Sequence, residues 1–130
     1  MPFVEQEHFE ELVRQALATV PTEIAEHIDN VDVEVQAWPS IRQLQSARVP
    51  QGRTLLGLYQ GVPLTKRNSG YMMVPPDRIT IFQGPLERIA RTDDELVERV
   101  REVVVHEVAH HFGISDARLS QIEAERRARQ

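Results

Sequence analysis

No cysteine occurs anywhere in the 130 residues. That excludes disulfides and any metal site built from thiolates, so an ion held by this chain takes nitrogen and oxygen donors alone. The lack of cysteine is also compatible with a reducing compartment. No run approaches the ~20 consecutive apolar residues of a membrane-crossing helix. The stretch from Met1 to Val20 shows neither a basic leader nor a continuous apolar core, and Glu5, Glu7, Glu10 and Glu11 interrupt it, which is not a signal-peptide pattern. Cytoplasmic residence is the default expectation. Repeats and low-complexity segments are missing as well. So is an excess of positive charge: 15 Lys and Arg stand against 20 Asp and Glu, a net −5 that speaks against general nucleic-acid binding, which depends on neutralising phosphates. Arg126, Arg127 and Arg129 are the one basic concentration, and they read as the solvated end of a helix, where cations suit the dipole.

What is present fits one soluble globular domain over residues 1–130, with 41% hydrophobic and 27% charged residues and enough chain to build a core unaided. Phe9, Leu12, Val13, Ala16, Leu17 and Val20 recur at helical spacing until Pro21 stops them. Ile24 and Ile28 continue as a short helical piece. Val31, Val33 and Val35 alternate with Asp32, Glu34 and Gln36 as in a half-buried strand, closed by Trp38-Pro39, with Trp38 a core or rim anchor. Ile41 to Val49 is ambiguous, a short helix leading into a loop. Thr54 to Tyr59 reads as a second strand closed by Gly61, Tyr71 to Val74 as a short one, and Arg78 to Phe82 as a third, broken by Gly84-Pro85.

Thr92 followed three residues later by Glu95, with acids between, is a capping-box signature that opens a helix. Val103-Val104-Val105 favour a strand by propensity, but the cap, the length and the histidine spacing that follows call for a helix. From Val100 to Phe112 the residues are apolar nearly all round, so this helix is expected to be largely buried. A last polar helix, Ala117 to Gln130, offers Leu119 and Ile122 to the core. The sum is an α+β domain: an N-terminal helix, a small sheet of three or four strands, a buried helix packed on it and a short C-terminal helix.

That buried helix carries His106-Glu107-Val108-Ala109-His110, continuing to Gly113 and Asp116, an H-E-x-x-H-x-x-G-x-x-D pattern. Residues four apart lie on nearly one helical face, so His106 and His110 can offer imidazole nitrogens to one ion. Glu107 is rotated about 100° from His106, too far for an obvious ligand but well placed to take a proton from a water on the metal. Catalytic zinc usually takes three protein ligands. Gly113 can end the helix in a left-handed conformation, and after that turn Asp116 is the nearest group able to complete the set. The alternative for this position is that Ser115 or Asp116 N-caps the terminal helix. His111 points about 140° from His106 and reads as a packed or hydrogen-bonded core histidine.

These features resemble the short bacterial zincin-like metallopeptidases, which have a minimal zincin fold. The resemblance rests on His106 to Gly113 with Asp116, and on Leu58-Tyr59-Gln60-Gly61-Val62-Pro63 and Pro76 to Phe82 upstream. The Asp third ligand is similar to that of snapalysin-type zinc proteases, which implies the same role for Asp116. Larger zincins bind an extended substrate along an edge strand; by resemblance that strand is Tyr71–Val74 or Arg78–Phe82. Metzincins follow the third ligand with a methionine-containing turn, and no methionine follows Asp116 here. Met72 and Met73 are upstream packing residues instead.

Three functions follow. In the first, a zinc-dependent peptidase, His106, His110 and Asp116 hold Zn2+, which activates water and polarises the scissile carbonyl, while Glu107 acts as general base. Tyr59 or Tyr71 is a candidate oxyanion donor, although ordinary strand packing is the favoured reading of both. A non-catalytic module binding a protein partner is the second. The third is a zinc-dependent ribonuclease, which Glu107 and the acidic balance disfavour. The expected partner is a peptide or protein substrate, with no nucleic acid and no membrane.

Overall fold

A computed structural model describes residues 5–50, 52–61 and 76–128. The amphipathic spacing of the amino-terminal segment forms α1, Gln6–Ala18, which buries Phe9, Leu12, Val13 and Ala16. After Pro21 a single turn, α2 (Thr22–Ala25), buries Ile24. Strand β1 is Val31–Gln36, as its alternation predicts. The ambiguous segment resolves into α3, Ile41–Ser46, because Ser40 and Gln43 form a reciprocal capping box. Strand β2 is Gly57–Gln60, shorter at its start than the expected Thr54 to Tyr59. Strand β3 is Asp77–Phe82. The expected strand at Tyr71 to Val74 lies outside the described residues.

Gly84-Pro85 ends β3 but does not open a loop. Both residues sit in the first turn of a helix not anticipated from the sequence, α4, Gln83–Ile89. Proline is tolerated there because first-turn amides have no helical acceptor to lose. Next come α5, Asp93–Phe112, and α6, Asp116–Ala128. Thr92 Oγ1 accepts from the Glu95 amide at 3.1 Å, and the Glu95 carboxylate reaches back to the Arg91 amide at 2.8 Å, so α5 starts where its cap predicts.

The described strands form one sheet in the order β1-β3-β2, with β1 parallel and β2 antiparallel to β3. Strand β3 is therefore central, and Ile79, Thr80, Ile81 and Phe82 are all fully buried. This corrects the expectation that Arg78–Phe82 is an edge strand: both of its edges are already paired. The core lies between this sheet and the α1–α5 pair, with Leu96, Val100, Val104 and Val108 of α5 at its centre. Trp38 is a rim residue. Its indole lies over the backbone of Gly84, where a β-carbon would meet it at 2.3 Å, and the Arg88 guanidinium stands 4.7 Å from the ring centroid. No helix among the described residues is long and apolar enough to cross a membrane.

Candidate metal centre

Helix α5 is not buried along its whole length. Val104, Val105, Val108 and Ala109 face the core, whereas His106, His110, His111 and Phe112 are exposed. The apolar run misleads because its last two turns interleave core residues with the histidines, and the interleaving leaves a polar stripe facing outward. One helical turn apart on that stripe stand His106 and His110. The His106 ring is fixed: its Nδ1 lies 2.7 Å from the Glu102 carbonyl oxygen. A carbonyl only accepts, so Nδ1–H donates, and in the neutral ring the lone pair is left on Nε2. This is the tautomer and the backbone partner that metal-binding imidazoles commonly use, and the exposed Nε2 fits a zinc ion.

Glu107, half-buried, turns away from that stripe toward β2, where its Oε1 accepts a hydrogen bond from the Tyr59 amide at 2.9 Å. Burial pushes its carboxyl above the ordinary glutamate range; the Tyr59 amide, then His110 and His106, pull the other way without cancelling it. A carboxylate held in this balance has the character of a general base.

His111 is exposed rather than a core residue, but it is packed, its ring stacked on Tyr59 at 3.9 Å. Phe112 stands edge-on to both rings and stacks on His27 at 4.3 Å. The Tyr59 hydroxyl donates to Asp77 at 2.7 Å, in keeping with the strand-packing reading. Tyr71 lies outside the described residues.

Gly113 closes α5 in the left-handed conformation, φ 72°, and the Ile114 amide bonds the Ala109 carbonyl at 2.8 Å in a Schellman-type turn. The chain then enters α6 directly. Ser115 is its N-cap, its hydroxyl accepting from the Arg118 amide at 3.1 Å, and Asp116 is the first helical residue. Of the two capping candidates, then, Ser115 does the capping. Asp116 and His106 line one groove of about 700 Å³ between α5 and α6, floored by Val105 and Leu119. Among the described residues no three His, Asp or Glu side chains already converge into a metal-sized cluster. The imidazoles share a face, and the carboxylate shares a groove with one of them. Sequence periodicity did not disclose Gly57, Tyr59 and Asp77 as neighbours of this region, since each arrives from a strand distant in the chain.

The model of the zincin-like metallopeptidase family matches residues 28–126. Among solved structures, a conserved hypothetical protein from T. thermophilus superposes with a TM-score of 0.53 at 23% identity, over 84% of this chain and 94% of that one. At that identity the likeness concerns the fold.

Proposed function

The chain belongs to the zincin-like metallopeptidase family, and from that premise we propose that it is a zinc-dependent peptidase whose ion is held by His106, His110 and Asp116. The observation that carries this reading is the oriented ring of the exposed His106, with Nδ1 tied to a backbone carbonyl so that the lone pair is left on Nε2. Zinc held there supplies Lewis acidity, polarising a peptide carbonyl and acidifying water. His110 offers the second imidazole from the same stripe of α5, and Asp116 supplies the oxygen donor from the opposite wall of the groove. Glu107 takes a proton from the attacking water and returns it to the leaving amine. Among the described strands β2 is the edge strand next to α5 and β3 is not an edge; the other strand expected to hold an extended peptide, Tyr71–Val74, lies outside the described residues.

The test is incubation of zinc-loaded protein with a mixed peptide library, with products read by mass spectrometry, alongside the Glu107→Gln variant. Cleavage by the wild type, and its loss in a variant that still binds zinc, is expected. Equal turnover by both proteins would remove Glu107 from the chemistry.

A further inference from the structure

We propose that strand β2 is the positioning element for Glu107, with Tyr59 the residue that sets where its carboxylate sits. The inference rests on the reading of Glu107 as a general base, and three rungs between β2 and α5 support it. At the first, a β-carbon on Gly57 would stand only 2.4 Å from Val103 Cγ1, so the strand touches the helix where only glycine fits. The Tyr59 amide bonded to Glu107 is the second. At the third, a β-carbon on Gly61 would lie 3.1 Å from His111 Cε1. Positions 57, 59 and 61 thus meet positions 103, 107 and 111. Two strand residues advance about 6.6–6.8 Å and four helical residues about 6.0 Å, so the two elements keep step over this length.

The amide of Tyr59 is available for this role because of register. Phe82 donates to the Leu56 carbonyl at 3.0 Å, and the pairing Leu58↔Thr80, Gln60↔Arg78 makes the even-numbered residues bond across to β3. In an antiparallel pair the intervening residue points its amide away from the partner strand, here toward α5. The side chain of Tyr59 then locks the strand: its hydroxyl is tied to Asp77 of β3 at 2.7 Å, and its ring is stacked on His111, one turn beyond Glu107. The residue that holds the carboxylate through its backbone is itself anchored at both ends of its side chain.

A volume-compensating pair tests this. Gly57→Ala forces the strand off Val103, and Val103→Ala removes the obstructing methyl. Hydrogen exchange at the Tyr59 amide reads the bond itself, with the Leu58 and Gln60 amides as reference for an intact sheet. Expected results are faster Tyr59 exchange in Gly57→Ala and in Glu107→Ala with the reference amides unchanged, and recovery in Gly57→Ala/Val103→Ala. In peptide hydrolysis, kcat of Gly57→Ala should fall about 10- to 100-fold with KM held, the size of effect that a small misplacement of a catalytic group produces, and the double variant should recover it. Unaltered Tyr59 exchange in Glu107→Ala, or full kcat in a Gly57→Ala protein whose Tyr59 amide exchanges freely, would overturn the proposal. A wild type without peptidase activity would refute the functional reading alone and leave the exchange experiment to decide the positioning.

Discussion

Glu107 is held by forces of opposite sign, and the balance has a consequence for stability. Burial raises its pKa in the folded protein above the unfolded value. Between those two values the native state binds more protons than the unfolded one, so stability falls as pH rises through the window. Glu107→Gln removes that penalty while keeping an oxygen to accept the Tyr59 amide. The metal-free variant should therefore melt above the wild type at neutral pH, with the difference vanishing below the ordinary glutamate range; thermal melts across pH check it. Ser115 and Asp116 separate in the same way. Ser115→Ala loses the cap bond of α6 and should cost about 1 kcal/mol with zinc affinity unchanged. Asp116→Ala loses no cap bond; it should cost no more than the ~0.3–1 kcal/mol of a helix-dipole contact, yet weaken zinc binding in calorimetric titration. At this scale the sequence was most legible where the motif is local. His106, Glu107 and His110 need only the period of one helix. The neighbours of Glu107 were not legible, because Tyr59 reaches it across 48 positions of chain, a separation that periodicity does not encode.

At the scale of elements, α5 was readable from both ends: Thr92 and Glu95 at its start, Gly113 at its finish. Gly113 has open space around a hypothetical β-carbon, so its constraint is conformational alone. Gly113→Ala should destabilise the fold by about 1 kcal/mol, measured by urea denaturation, and Asn, which tolerates the left-handed region better, should cost less. Helix α4 was missed because Gly84-Pro85 announces a break, and a break in a strand is also a permissible helix start. Gly84 is needed there for a reason only the packed chain reveals, the Trp38 indole lying on its backbone. Burial along α5 was overestimated for a related reason. Composition averaged over Val100 to Phe112 is apolar, but His106 and His110 share an exposed face and the last residues, His111 and Phe112, are exposed as well.

Across the whole molecule the family match begins at residue 28, after α1 has ended at Ala18. Even so, α1 supplies Phe9, Leu12, Val13 and Ala16 to the same core as α5, and Arg101 of α5 donates to Thr19 at the end of α1 at 2.8 Å while also pairing with Glu98. Each large apolar side chain withdrawn from water contributes about 1.5–3 kcal/mol, against a total of about 5–15 kcal/mol for a domain. Removing residues 1–20 should therefore abolish cooperative melting, although the motif remains whole. The α+β class followed from counting periodic segments. Sheet order did not, since nothing local to Arg78–Phe82 announces that it is flanked on both sides.

In the proposed site two imidazoles of α5 and the first carboxylate of α6 hold one ion. A crystal structure of the protein grown with zinc tests it most directly. Nε2 of His106, a ring nitrogen of His110 and an Asp116 oxygen should each lie about 2.0–2.2 Å from a single zinc, with Glu107 beside the ion but not bound to it. Zinc seated on other residues, or held by the histidines while Asp116 stays apart in the first turn of α6, would rule out this ligand set.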